Sequence, residues 1–359
     1  MKKPDDKKES GVEIDIKKIS KIAEVSHLNF LFGAGVSAPF ILPLPEIEQK
    51  MDEAEEQGKT EDAIKLKKEF LSKVMLPCLN IKSYSYNKDK DDKKKNKITE
   101  TYENYRSFLV EITRYLLSRK STLLDKQVSL FTTNIDIFLE KVLEDAGANY
   151  NDGFIGHMTP SFRTSHFQTI IKKKSEYLER QSEVPTFNLY KLHGSLTWKL
   201  ENEGESIGYS NLSELKGIEV LENGEFNKSY SALQIVNPNR KKFATSVLES
   251  TYYELFRLYS TELEKENALL VVSGFSFGDA HILEVTRRAM DSNPTLTVCV
   301  LCHSKERSED YRKKFEGVRY ANNLHIIVPA NGEKIDLKWA VENLISRLDQ
   351  NYGAKNHAE

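Results

Sequence analysis

Cysteine is scarce in this chain: Cys78, Cys299 and Cys302 are the only three in 359 residues. Thiols so few and so unevenly spread exclude a disulfide framework and cannot supply a four-cysteine zinc ribbon. They fit a reducing cytoplasm. Cys299 and Cys302 form a C-x-x-C, but it lies within the apolar run TLTVCVLCH and reads as a pair of buried strand thiols. Long hydrophobic runs are missing too. No window approaches the roughly 18 consecutive apolar residues of a spanning helix, and the N-terminal MKKPDDKKESGVEIDIKK has no apolar signal core. Secretion and membrane insertion are therefore not expected. Charge of one sign is also absent: 52 Lys and Arg against 54 Asp and Glu leave a net −2, so no global field draws in nucleic acid or anionic membrane. No repeat of fixed period is visible.

What is present is enough apolar sequence, 39% with 10% aromatic, to bury a substantial core. Short β-rich runs alternate with helical patterns. Strands are expected at Leu28–Phe32, Val128–Thr132, Phe187–Leu192, Leu233–Val236, Ala268–Ser273, Thr295–Leu301 and Leu324–Val328. Several are apolar without alternation, as in a sheet covered on both faces. Helical spacing marks Tyr105, Phe108, Leu109, Ile112 and Leu116; Leu248, Tyr252, Leu255, Tyr259 and Leu263; and Leu337, Val341, Leu344 and Leu348. This alternation predicts an α/β fold, a Rossmann-like doubly wound and mostly parallel sheet.

Residues 1–25 and 351–359 read as charged tails, and NKDKDDKKKNK (Asn87–Lys97) as a surface loop. Two stretches break the rhythm. Residues 45–122 read as a helical insertion, and residues 201–228 as an irregular loop or small hairpin; either could wall or cover a cleft.

Four segments could carry chemistry. HLNFLFGAGVSAPF places Gly33 and Gly35 after an apolar strand, with Ser37 and Ala38 opening an expected helix. Such a turn lets backbone approach a pyrophosphate, or it serves packing alone. Read as G-x-G-x-x-A it meets the dehydrogenase fingerprint, but the acidic ribose partner about 20 residues on is missing. VSLFTTNIDIFLEKVLEDAG ends a strand at Thr132, Thr133 and Asn134, a polar cluster at the edge where ligands bind in open α/β sheets. Asp136 serves equally as a helix cap. FNLYKLHGSLTW puts His193 at a strand end before Gly194, accessible as a base near neutral pH or bonded to backbone as a structural histidine. ALLVVSGFSFGDAHI repeats the strand-to-glycine turn at Gly274, Ser276 and Asp279, a second contact for phosphate or ribose.

Taken in order, GAGVS, TTNID, KLHGS and SGFSFGD resemble the motifs of the sirtuin or SIR2-like family, over about Leu28 to Leu283. The resemblance implies one NAD-binding domain over residues 26–350. In it Gly33, Ala34, Gly35 and Ser37 line pyrophosphate and ribose, Thr133, Asn134 and Asp136 face the nicotinamide ribose, His193 is the base, and Gly274 with Ser276 holds the adenosine side.

The chain departs from protein-deacetylating sirtuins in two ways. Gly194 to Leu269 contains no cysteine, so no zinc ribbon and no metal is expected, and APFILPLP replaces the family's acidic, arginine-containing substrate loop. With its helical insertion the chain is more similar to the bacterial SIR2-like effectors of anti-phage defence. That likeness implies an NAD+ hydrolase giving nicotinamide and ADP-ribose and depleting NAD in infected cells. It implies Asn134, His193 and Asp136 as the catalytic set, and regulation by homo-oligomerisation or a HerA-like ATPase partner, since no long sensor domain follows the last helix. Two alternatives share the same pocket, an NAD-dependent protein deacylase and a non-catalytic NAD or ADP-ribose sensor.

Overall fold

The computed structural model describes residues 11–119, 123–174, 181–201, 206–235, 247–330 and 333–348. Helix α1 (Gly11–Ala23) leads into β1 (His27–Phe32). A helical stretch follows: α2 (Pro45–Glu56), α3 (Thr60–Phe70), α4 (Cys78–Ser83), α5 (Tyr86–Asp89) and the 23-residue α6 (Asn96–Ser118). Next come β2 (Gln127–Thr132), α7 (Phe138–Asp145), β3 (Asn149–Asn151), β4 (Phe154–Ile155), β5 (Ser161–Phe162), β6 (Lys172–Lys174), β7 (Gln181–Glu183) and β8 (Thr186–Lys191). The chain then forms β9 (Gly194–Glu201), β10 (Ser206–Tyr209), α8 (Glu214–Glu219), α9 (Asn223–Ser231) and β11 (Leu233–Ile235). It finishes with α10 (Val247–Glu264), β12 (Ala268–Ser273), α11 (Ala280–Ser292), β13 (Thr297–Leu301), α12 (Ser308–Lys314), β14 (Leu324–Ile327) and α13 (Leu337–Asn343).

Seven parallel strands form the main sheet in the order β14-β13-β12-β1-β2-β8-β3. From β1 the chain adds β2, sets β3 at the edge and β8 between them, then returns across the sheet to β12 and builds outward on the other side. The strand order therefore reverses between β1 and β12, the place where open α/β sheets leave a crevice at their carboxyl edge. Strands β8, β12 and β13 are buried along their whole length, because both faces are covered. One face packs against α1, α6, α7 and α13, with Phe108 of α6 edge-on to Phe30 and Phe32 at 4.9 and 5.2 Å. The other packs against α10, α11 and α12.

The apolar runs locate six of the seven main-sheet strands to within two residues, but not the polar three-residue β3, and the helical insertion is present as α2 to α6. Other expectations are corrected. The charged segment read as a tail to residue 25 holds α1, whose Ile16, Ile19 and Ala23 are buried; a hydrophobic residue every three or four positions is enough to seat a helix that is otherwise charged. Asn87–Lys97 is exposed but partly helical, from the end of α5 to the first turn of α6. Leu233–Ile235 does not join the main sheet. It belongs to a five-stranded antiparallel sheet, β11-β9-β10-β5-β4, that grows from the chain just after His193. Residues 201–228, read as an irregular loop or small hairpin, hold β10 of that sheet, α8 and most of α9, with 202–205 outside the described residues. Lys67 of α3, buried and paired with Glu55 at 2.7 Å, donates to Asn227 of α9 at 2.8 Å and so ties this module to the helical insertion.

Candidate functional site

The four motif segments converge at the carboxyl edge of the main sheet. The turns after β1 and β12 are joined backbone to backbone: Gly33 N–H donates to the Ser273 carbonyl at 3.1 Å, and Gly35 N–H to the Gly274 carbonyl at 3.0 Å. A Cβ on Gly33 would lie 2.5 Å from the Gly274 oxygen, and one on Gly274 (φ +64) 2.6 Å from the Val36 nitrogen. These glycines are required because two main chains touch at the reversal point. The helix expected to open at Ser37 is absent; a four-residue 3-10 turn, Ala34–Ser37, takes its place, and α2 starts only at Pro45. Ala34, Gly274 and Ser276 are exposed along the rim, and half-buried Thr133 hydrogen-bonds through its amide to the Phe32 carbonyl at 3.1 Å.

Beneath the rim lies a closed polar network. Ser37 Oγ donates to Asp136 Oδ2 at 2.6 Å, accepts from Asn134 Nδ2 at 3.0 Å and meets the Tyr105 hydroxyl at 3.0 Å. A serine hydroxyl has one proton and two lone pairs, so with Tyr105 donating, Ser37 is saturated by protein. Ser37 is 1% exposed and holds its neighbours rather than presenting a free group to a ligand. Asp136 is likewise occupied: its Oδ1 accepts from Phe138 N–H at 3.0 Å at the start of α7. Because Asn134 must give its NH2 to Ser37, its Oδ1 is left over, buried and without a hydrogen-bond partner among the described residues. Tyr105, part of the apolar face of α6, is fully buried and stacks on Phe138. Burial and the Asp136 charge push its hydroxyl well above the usual tyrosine range.

His193 stands at the junction of the two sheets, where Gly194 at φ +75 reverses the chain from β8 into β9. Asp136 does not orient it. Its Nε2 lies 3.0 Å from Oδ2 of Asp279. Asp279 is the N-cap of α11, and its other oxygen accepts from the amides of His281 (2.8 Å) and Ile282 (3.1 Å). Burial alone would raise this carboxyl, but the His193 contact and the two amides bring it down to about 2. The reading of Asp279 as a phosphate or ribose contact is thus replaced by that of a helix cap that also holds a histidine. A second carboxylate, Glu48 of α2, faces His193; burial raises it and the histidine charge partly offsets the rise.

A family model described as the SIR2-like domain matches residues 128–326, more than half of the chain. The chain belongs to the SIR2-like domain family. Among curated proteins, none matches the chain. The match runs from β2 to β14 and ties the chain to NAD-related chemistry in the broad sense; the GAGVS turn and the helical insertion lie before it.

The SIR2-like edge has a charged foundation that the motifs did not reveal. Lys191, the last residue of β8 and 2% exposed, pairs with Glu140 of α7 at 3.0 Å and donates to the Asp136 carbonyl. Ser195 Oγ donates to the same Glu140 oxygen at 3.1 Å. Burial raises the Glu140 carboxyl and the Lys191 charge opposes the rise. A second missed cation is Lys314 of α12, which donates to the Ser276 carbonyl at 2.6 Å and sets positive charge at the second glycine turn. A cavity of about 330 Å³ lies elsewhere, between β9, α8 and α9, lined by Leu196, Trp198, Leu215 and Ile218. The motif residues lie instead at the sheet edge, where Asn134 Oδ1 is one of the buried polar atoms without a hydrogen-bond partner among the described residues. Cys299 and Cys302 are both buried and free, and no described helix is long and apolar enough to cross a membrane. Among the described residues no three His, Cys, Asp or Glu side chains converge in a metal-holding group.

Proposed function

We propose that this SIR2-like protein is an NAD+ glycohydrolase, cleaving the nicotinamide–ribose bond with water to give nicotinamide and ADP-ribose. The observation that carries the reading is Asn134 Oδ1, a buried acceptor without a partner among the described residues, fixed by Ser37 at the carboxyl edge of the sheet. A buried polar atom left unpaired costs about 1–3 kcal/mol, a cost that fits a group waiting for a donor. A ribose hydroxyl or the attacking water supplies one.

In the reaction the bond from the anomeric carbon to the pyridinium nitrogen breaks, and its electron pair leaves with nicotinamide, which becomes neutral. No strong acid is needed on the leaving side. The water oxygen bonds to the anomeric carbon, and the surplus proton passes to His193. Asn134 holds the ribose or the water in line, and Asp136 acts through Ser37 to hold Asn134. Exposed Ala34, Gly274 and Ser276, with half-buried Thr133 beside them, offer the rim along which ribose and pyrophosphate lie, with Lys314 opposing the phosphate charge. Gly33 and Gly35 keep the two turns in contact. On the strength of the family resemblance, the cellular role is that of a cytoplasmic anti-phage effector that depletes NAD, assembled as a homo-oligomer or with a HerA-like ATPase.

The test is time-resolved NAD consumption with nicotinamide and ADP-ribose quantified, for the parent, Asn134→Ala and His193→Ala, with and without an acyl peptide and any co-purifying ATPase. ADP-ribose release without peptide, lost in both folded variants, is expected. Nicotinamide release only with the peptide would indicate a deacylase, and NAD binding without turnover a sensor.

A further inference from the structure

We infer that Asp279 is the positioning residue of His193: it fixes which imidazole nitrogen carries the proton and leaves the other, Nδ1, as the base for the hydrolysis proposed above, a reading on which this inference rests. Three observations carry it. First, the two residues come from distant parts of the sheet. His193 follows β8 and Asp279 follows β12, with β1 and β2 between them, so at about 4.8 Å per strand their loops span roughly 14 Å of sheet edge to meet. The contact thereby crosses above the ends of β1 and β2, the strands that carry Ser37 and Asn134.

Second, Asp279 is held from behind. Its Oδ1 is fixed by two α11 amides, whose partial positive charge favours the ionised carboxylate. An ionised carboxylate only accepts hydrogen bonds, so Nε2 of His193 must donate to Oδ2. Third, Nδ1 makes no hydrogen bond to any described residue, and half-buried Glu48 is a second carboxylate close enough to feel the histidine charge. A cap alone uses one oxygen; the second, 3.0 Å from an imidazole, has no capping role.

Asparagine separates the two roles, because it caps helices as well as aspartate but would turn an NH2 toward His193. Nε2 would then have to accept, and the proton would move to Nδ1. The experiment uses the full chain carrying 15N-labelled histidine. Long-range proton–nitrogen NMR reads the ring tautomer without NAD, with His193→Gln assigning one signal among eight histidines. The same proteins are assayed for NAD turnover. The parent is expected to carry its proton on Nε2, and Asp279→Asn on Nδ1, with kcat down by at least ~100-fold and KM little changed. Where a carboxylate holds a catalytic imidazole elsewhere, this exchange costs up to ~10⁴-fold. An unchanged tautomer in Asp279→Asn overturns the inference whatever the turnover, and a reversed tautomer with parental kcat overturns the link to catalysis. If the parent itself releases neither nicotinamide nor ADP-ribose, the function reading fails, and the tautomer comparison alone still decides whether Asp279 positions His193.

Discussion

Ser37 and Asp136 are 99 residues apart in sequence, yet their side chains meet at 2.6 Å, with Asn134 closing the same network from its NH2 group. Two motifs that look like separate ligand contacts are one preorganised unit: the turn after β1 sets the side chains of the segment after β2. A 1 Å displacement of a group that positions a reactant can cost about 100-fold in rate.

Ser37→Ala removes the hub. Asp136 Oδ2 loses its donor and Asn134 Nδ2 its acceptor, which should cost about 1–3 kcal/mol of stability and at least ~100-fold in NAD turnover. Tyr105→Phe removes only one of the three contacts and leaves Ser37 bonded to both partners, so it should fall far less on both measures. Thermal unfolding and NAD consumption on the two variants give the ranking; equal losses would mean that Ser37 does not set the geometry of Asn134.

The glycine turns make a second prediction. Gly274→Ala places a methyl 2.6 Å from the Val36 nitrogen in a left-handed backbone, and main chain on both sides cannot yield. A loss of at least ~2 kcal/mol is expected, enough to lower the melting temperature by several degrees. Gly217 within α8 has nothing within 4 Å of its missing Cβ, so Gly217→Ala should be neutral or gain up to about 1 kcal/mol. Differential scanning calorimetry on both variants separates packing from any general intolerance of alanine.

Six strands of the main sheet were legible because they are short apolar runs ended by glycine or polar turns, whereas the seventh, β3, is Asn-Tyr-Asn and carries no such signal. The second sheet was not. β9 begins one residue after His193, and GSLTWKLE was absorbed into the histidine motif although its alternating Leu196 and Trp198 are both buried. The motif residues were legible as a set, but their partners were not. Lys191 pairs with Glu140, Glu140 with Ser195, Tyr105 with Ser37 and Asp279 with His193, each across more than 50 positions of the chain, and sequence spacing carries no trace of such pairings. Only a tyrosine within an apolar helix face and a lysine ending an apolar strand hinted at buried polar contacts.

Lys191 and Glu140 give a third prediction. Removing one member of a buried ion pair leaves the other uncompensated, which costs about 3–5 kcal/mol, whereas removing both is much milder. Lys191→Met should therefore be severely destabilising, and Glu140→Gln in the same chain should restore part of the loss. Because Lys191 also donates to the Asp136 carbonyl, the double variant should regain stability without regaining NAD turnover. A denaturant-unfolding cycle over the four proteins measures the coupling, and strictly additive losses would show that the pair is not energetically linked.

Asp152 yields the prediction with the clearest pH signature. It follows β3, and burial, with a smaller contribution from the Glu140 and Glu144 charges, pushes its carboxyl up to about 6, against the downward pull of the Phe154 amide. An acid whose folded pKa is raised stabilises the fold below its unfolded value of about 4, and that stability is lost as pH rises through about 6. At pH 8 the folded protein therefore carries a half-buried carboxylate at a cost of about 1–2 kcal/mol. Asp152→Asn keeps an acceptor for the Phe154 amide, 3.0 Å away, and has no proton to lose. The variant should be more stable than the parent at pH 8, and the difference should shrink toward zero near pH 4. Urea midpoints at pH 4, 6 and 8 measure it. A constant gain across the range would mean that packing, and not ionisation, sets the difference, whereas a gain that vanishes on acidification places a strained carboxylate beside the Glu140–Lys191 pair that supports the Asp136 loop.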